Sequence, residues 1–168
     1  GLFKDLYILK NYPEKIIKGM VLALEFLGAR NAFFNLNKKY YRQIKNKILP
    51  LIEEYNQQGF DIKIFIEEPS YIGGEETALL NAIEGKMTEP RLKPPYPSSA
   101  GLFGKPTLIN NVETFYDVAC VAEGTFENKR FYAIYGKVKN KGVFHLPADW
   151  SIEKILKETK NYPSFEFF

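Results

Sequence analysis

Asp61-Ile-Lys-Ile-Phe-Ile-Glu67 decides the fold class. Apolar and polar residues alternate there before the run turns wholly apolar, which is the period of a strand with one covered face. Just upstream, residues 39–58 carry Tyr40, Ile44, Ile48, Leu51, Ile52 and Tyr55 on one side. That spacing predicts a helix, bent at Pro50 and ended by Gly59. Residues 30–36, with Ala32, Phe33 and Phe34, read as a short buried strand. Further back, Ile16, Ile17, Met20, Val21, Leu24 and Leu27 recur at three- and four-residue steps. They predict an amphipathic helix over residues 13–29, opening on Pro13 and capped near Gly28. Helix, strand, helix, strand is the order of an α/β layer with parallel strands and right-handed crossovers.

Downstream of Pro69 the texture changes. Gly73-Gly74 breaks the chain, and a helical pattern resumes over residues 75–83 through Ala78, Leu79 and Ile83. Residues 89–106 hold five prolines among Gly, Ser, Lys and Arg. An ordered connection of that length in a compact domain is more often functional than incidental. A helix follows over residues 112–124. Then come a strand (131–135), a turn (139–142), a strand (143–146) and a helix (152–159). The last order resembles the start of a small β-grasp module, so two domains are expected, 1–127 and 128–168.

Composition bounds the function. The 168 residues include 23 Lys+Arg and 20 Asp+Glu, a formal charge of +3 too mild to mark a nucleic-acid binder. The apolar fraction of 45% with 26% charged residues is globular and excludes wholesale disorder. The longest apolar stretch, residues 19–29, contains Glu25 and is far short of a membrane span. With no leader-like opening, a soluble, cytoplasmic protein is expected. One cysteine, Cys120, excludes an internal disulfide and a self-contained iron–sulfur cluster. The chain opens on Gly1 and stops on Phe165-Glu-Phe-Phe168, which suggests a fragment or a shortened relative of a longer chain.

Three segments could carry chemistry. In Gly73-Gly-Glu-Glu-Thr77 the glycines let backbone approach a ligand and deliver a helix N-terminus, where acidic residues suit the dipole. Those five residues fit a well-made helix start; as a site, their carboxylates would accept hydrogen bonds from ligand amides or hydroxyls. Pro90-Arg-Leu-Lys-Pro-Pro-Tyr-Pro97 spaces two cations on a stiff segment, either a solvated loop or the rim of a pocket for a phosphorylated ligand. Asn110-Asn-Val-Glu-Thr114 enters a helix, where one Asn serves as a cap. Two Asn plus Thr114 at one mouth could equally bond a phosphate or a planar heterocycle. His145 lacks partners at metal-ligand spacing and reads as a half-buried strand residue; Cys120 reads as packing. Lys38, Lys39, Arg42, Lys45 and Lys47 form a basic helix flank, a solvated face before a nucleic-acid site.

Taken in order, residues 71–85, 89–97, Gly101-Leu-Phe-Gly-Lys-Pro-Thr107 and Asn110–Thr114 resemble one family. It is the flavin-bearing, NADH-oxidising subunit of respiratory complex I, with its counterparts in NAD-dependent hydrogenases and formate dehydrogenases. Gly1-Leu-Phe-Lys-Asp5 and Tyr135-Gly-Lys-Val138 extend the likeness, the latter into the family's SLBB β-grasp domain. The resemblance implies a partial Rossmann-like FMN-binding layer followed by the start of that module. It also implies hydride transfer from NADH to FMN, with electrons passing on to an iron–sulfur cluster.

By the same resemblance, Gly74, Glu75 and Glu76 would lie at the flavin and nucleotide cleft. Asn110, Asn111 and Thr114 would contact FMN, and Lys93 would border the NADH entrance. The family's glycine-rich FMN loop would precede Gly1. Its Cys-x-x-Cys-x-x-Cys cluster region would follow Phe168, or the cluster would sit on a partner. Iron–sulfur subunits of a multi-subunit complex are the implied partners, with neither nucleic acid nor direct membrane insertion; contact with the inner membrane would come through them. Where the family reads Cys-Gly-Glu-Glu this chain has Gly73-Gly-Glu-Glu76, and its approach is Glu67-Glu-Pro-Ser70. Alone, the chain is expected to fall short of a full turnover. The competing expectation is a docking subunit that keeps the fold and has lost the flavin.

Overall fold

The computed structural model describes residues 3–67 and 75–162. In chain order the elements are α1 (Phe3–Asn11), α2 (Pro13–Phe26), β1 (Asn31–Asn37), α3 (Lys38–Gln57), β2 (Asp61–Glu67) and α4 (Glu76–Ile83). There follow α5 (Pro97–Ala100), α6 (Val112–Ala122), β3 (Lys129–Ile134), β4 (Gly142–Pro147) and α7 (Ile152–Glu158). They gather into two compact units, one of residues 23–111 and one of residues 1–22 with 112–168.

In the unit of residues 23–111, β1 and β2 pair in parallel, from Asn31 opposite Asp61 to Asn37 opposite Glu67. The α/β reading holds in this small parallel sheet, with α3 as the crossover. Asn37 ends β1 and starts α3, its side-chain oxygen accepting the Tyr40 amide at 2.8 Å. Ile44, Ile48 and Ile52 step along α3 at four-residue intervals and are buried, as are Phe34, Leu36 and Ile62 of the strands. Each such aliphatic side chain contributes about 2 kcal/mol when removed from water. The helix continues through Pro50. It stops at Gln57 because Gly59 takes φ +93°, and the Asn56 side chain then clasps both the N–H and the C=O of Ile62 at 2.8 and 3.2 Å.

The first two helices depart most from the periodicity. α2 ends at Phe26, because Gly28 turns at φ +63° and the Ala29 amide closes onto Leu24 O at 2.9 Å. Leu27, which the spacing grouped with the core, is therefore 55% exposed. α1 is a helix for which Pro13 hid the signal. Only Tyr12 separates the two helices, and the bonds Tyr12 N–H to Ile8 O and Ile16 N–H to Tyr12 O run across the join.

The second unit packs α1 and α6 with the antiparallel hairpin β3–β4, Lys129 opposite Pro147. Its core joins Ile8, Leu9, Ile16, Ile17, Ala119 and Phe131. Glu113 ties three elements: one oxygen accepts the Phe131 amide at 2.9 Å and the other pairs with Lys4. Lys15 and Lys18 of α2 both reach Glu123, at 2.8 and 2.7 Å. Among the described residues no helix is long and apolar enough to cross a membrane.

Gly19 is where α2 meets the backbone of the α6 helix. A Cβ there would stand 1.8 Å from the Phe115 carbonyl oxygen. Gly19→Ala would gain helix propensity yet must push the helices apart, so a net loss of at least about 2 kcal/mol is expected. Denaturant melts check this; a stability equal to wild type would contradict the packing described.

Candidate functional site

The start of α4 builds the site. Glu75 is its N-cap, with extended backbone, and its Oε2 accepts the Thr77 amide at 2.8 Å, the Ala78 amide at 2.9 Å and the Thr77 hydroxyl. The two amides are donors that a helix start leaves without intrahelical partners. The other oxygen, Oε1, receives Lys93 Nζ at 3.0 Å, and Lys93 also reaches Glu76 Oε1 at 3.0 Å. The structure thus brings Glu75, Glu76 and Lys93 into one cluster of net charge −1.

Lys93 is placed by what precedes it. Thr77, Asn81 and Glu84 lie along one side of α4 and its C-cap, and Arg91 bonds to all three. Its amide donates to Thr77 Oγ1 at 2.8 Å and its Nε to Asn81 Oδ1 at 2.8 Å, while Nη2 pairs with Glu84 Oε1 at 2.8 Å. Arg91 Nη1 continues to the Gly101 carbonyl at 2.9 Å. Glu84, only 4% exposed, also accepts Lys86 at 2.6 Å and the Phe103 amide at 2.7 Å. Phe103 sits in the left-handed region at φ 51° and is exposed. Gly101 has no room for a Cβ, which would meet Thr107 Oγ1 at 2.5 Å and Pro97 O at 2.8 Å. Around this scaffold lies an open hollow of about 610 Å³ bordered by Glu84, Lys86, Arg91, Leu92 and Phe103.

Electrostatics keeps these groups charged. The Thr77 hydroxyl, followed by the Ala78 amide and Lys93, holds Glu75 down at about 2 against the opposing effect of burial. Lys86, then Arg91 and the Phe103 amide, hold Glu84 at about 2. Glu76 and Glu75 push Lys93 up. None of them can trade a proton near neutrality. What the cluster can do is orient and neutralise: Glu75 has both oxygens engaged, while Glu76 keeps one oxygen unpartnered among the described residues.

Asn110 and Asn111 directly precede α6 and Thr114 lies in its first turn; all three are exposed. Gly74, with Gly73 and the approach through Glu68-Pro-Ser70, lies outside the described residues. Sequence reasoning missed Asn35 at the C-terminal end of β1. Its Nδ2 donates to Glu67 Oε2 at 3.3 Å, but its buried Oδ1 has no partner among the described residues. Ligands of parallel α/β sheets bind outside the carboxyl ends of the strands, and Asn35 stands near that end of β1. The signal was an Asn set between the apolar residues Phe34 and Leu36 of the strand. Arg91, which its sequence context marks only as a cation on a rim, is the hub of the loop.

The remaining candidates keep packing roles. His145 stacks on Phe131 at 4.2 Å and 10°, and burial pushes its pKa down. Cys120 is buried and accepts from Lys15 Nζ at 3.5 Å. No group of three or more His, Cys, Asp or Glu among the described residues is arranged to hold a metal ion.

The family model described as the Nuo51 FMN-binding domain matches residues 1–120. The F subunit of the NADH-quinone oxidoreductase of Aquifex aeolicus (strain VF5) is 34% identical over 93% of this chain and 42% of its own length. Its counterpart in Rickettsia massiliae (strain Mtu5) is 39% identical over 84% and 36%. A crystal structure of an NAD+-reducing NiFe-hydrogenase in the air-oxidised state superposes with a TM-score of 0.86 at 29% identity, over 95% of this chain and 30% of that one. The chain spans about two fifths of the length of the curated relatives it matches.

The Glu75 cap carries a pH dependence. Its folded pKa, near 2, lies below the ordinary 4.5, so the stability it contributes is present above pH 4.5 and lost as pH falls toward 2. Glu75→Gln should cost about 1 kcal/mol at neutral pH, a cap-sized effect tempered by solvent screening. The gap from wild type should close in acid. Thermal melts across that window test it; a gap that widens in acid contradicts the assignment.

Proposed function

The chain belongs to the Nuo51 FMN-binding domain family, and from that premise we propose that it forms part of an NADH-oxidising flavoprotein subunit. FMN, when bound, would accept a hydride from NADH and release electrons singly to an iron–sulfur cluster. The observation that carries this reading is the family match over residues 1–120, which contains the whole cluster of Glu75, Glu76 and Lys93.

In this proposal the chain's residues bind and orient. Asn35, Asn110, Asn111 and Thr114 would hold FMN by hydrogen bonds. Gly74 would let backbone approach the flavin. Glu76, with its unpartnered oxygen, would accept from a nucleotide hydroxyl or amide. Glu75 would act at one remove, because its oxygens cap α4 and hold Lys93. Lys93 would border the NADH entrance, where paired carboxylates temper its charge. Residues 1–127 would serve the flavin side as part of a Rossmann-like layer. Residues 128–168, which carry the β3–β4 hairpin and α7, would begin an SLBB-like β-grasp module. Iron–sulfur subunits would be the partners, and any membrane association would be peripheral and made through them.

Flavin fluorescence tests the proposal. Titrating FMN with the purified protein should give saturable quenching, and Asn35→Ala should weaken it about tenfold, the worth of one buried hydrogen bond. Saturable quenching that Asn35→Ala leaves unchanged would remove Asn35 from the site. Absence of any saturable response would favour a docking subunit without flavin.

A further inference from the structure

A second hollow lies within the other unit, far along the chain from the Glu75 cluster, where the β3–β4 turn meets the end of α7. It has a volume of about 600 Å³ and is lined by Lys139, Asn140, Lys141, Phe144, Glu158 and Lys160, with Thr159 between the last two. The hollow is shallow and open to solvent, so a ligand there would be held by the charges on its rim rather than by enclosure. Residues 129–162 hold eight of the chain's 23 basic residues and only three of its 20 acidic ones.

The five lysines of residues 139–160 divide into two groups. Lys157 pairs with Glu153 at 2.6 Å and lies over the Tyr162 ring, and Lys154 lies over Trp150 at 4.3 Å. Lys139, Lys141 and Lys160 are exposed and have no side-chain hydrogen bond or ion pair among the described residues. Among the described residues, Glu158 is the only acidic one on the hollow's rim.

The two segments that carry these three lysines are fastened together by a buried amide. Asn161, fully buried, accepts the Asn140 amide on its Oδ1 at 2.7 Å and donates its Nδ2 to the Asn140 carbonyl at 2.9 Å. The Asn140 side chain returns a bond to the Thr159 carbonyl at 2.9 Å. Lys139 and Lys141 flank Asn140, and Lys160 precedes Asn161. The clasp therefore brings the stems of all three lysines to one place without using their charges.

Lys160 is also held in the left-handed region at φ 58°, where the Lys160 and Asn161 amides close the end of α7 onto Lys157 O and Leu156 O. Glycine is the usual residue at that position. A lysine there carries a backbone cost that its packing does not explain, since the side chain is exposed. Strain of this kind at a residue lining a hollow is a reason to look for a ligand.

We propose that this hollow binds a small molecule bearing two or more phosphates, with the ammonium groups of Lys139, Lys141 and Lys160 as its recognition elements. Lysine suits that role as a mobile point charge that can follow several phosphate oxygens. Phe144 supplies an apolar wall for whatever carries the phosphates. The proposal does not depend on the flavin reading, because every residue it uses lies in residues 139–161.

Calorimetric titration with inorganic tripolyphosphate and with ATP, at low and at physiological ionic strength, tests it. Both probes should bind saturably, and both should weaken as salt rises. Lys141→Ala should lose about tenfold in affinity, the worth of a charge-assisted contact. Lys160→Gly is the decisive variant, because glycine keeps the left-handed turn: the protein should melt no lower than wild type yet bind both probes about tenfold more weakly. Lys157→Ala, whose charge is engaged elsewhere, should bind like wild type. Failure of both phosphate probes to bind would overturn the site. So would unchanged affinity in a folded Lys160→Gly protein, or tighter binding of a poly-glutamate peptide than of either phosphate.

Discussion

The unit that carries the candidate site depends on one guanidinium. A connection with five prolines between residues 89 and 106 lacks five backbone donors and cannot pin itself by a regular ladder. Arg91 supplies the missing donors from a side chain. Its planar fork meets an amide oxygen on Asn81, a carboxylate on Glu84 and a carbonyl at Gly101. Glu84 in turn is nearly sealed from water and must be paired to stay ionised there. It takes Arg91, Lys86 and the Phe103 amide together, and so binds the far end of the loop to the helix as well. Lys93, two residues beyond Arg91, inherits its position from this lattice.

That inheritance separates the roles of two adjacent carboxylates that look equivalent in the sequence. Glu75 satisfies the open N-terminus of α4 with one oxygen and Lys93 with the other. A ligand could claim Glu75 only by uncapping the helix or by displacing Lys93. Glu76 lies one residue into the helix and gives up a single oxygen. Competition for a ligand's donors therefore falls to Glu76. Their shared lysine leaves one net negative charge, so the phosphate repulsion expected of a bare acidic pair is roughly halved.

The sequence spoke clearly where a periodic signal met a hard stop. β2 begins and ends where alternation placed it, and α3 differs by one residue at each end, because Asn37 and Gly59 act through local geometry. α2 ran short because a glycine turn ends a helix before its apolar spacing does. α1 stayed hidden because a proline that starts one helix reads as the end of open chain, although one backbone bond is all it removes. Motif order revealed the family, but it put Lys93 at the NADH entrance and did not show its pairing with Glu75 and Glu76. The hub role of Arg91 was not legible, since it rests on contacts with residues ten positions away on either side. Neither was the clasp of Asn140 and Asn161, twenty-one residues apart.

Asparagines give the sharpest contrast between structural and ligand-seeking polar groups. Asn56 spends both ends of its amide on Ile62, Asn81 spends its two on Glu89 and Arg91, and Asn161 spends both on Asn140. Each is satisfied by backbone or side chain, and each fastens two segments. Asn35 differs: its nitrogen is used and, among the described residues, its buried oxygen is not. An unmet buried acceptor costs about 1–3 kcal/mol, and nothing in the packing of β1 requires an amide there, since Phe34 and Leu36 beside it fill the core. Among the described residues that cost falls near the carboxyl end of a parallel strand and on none of the other three asparagines, and this is the observation behind the proposed hydrogen bond from Asn35 to a ligand.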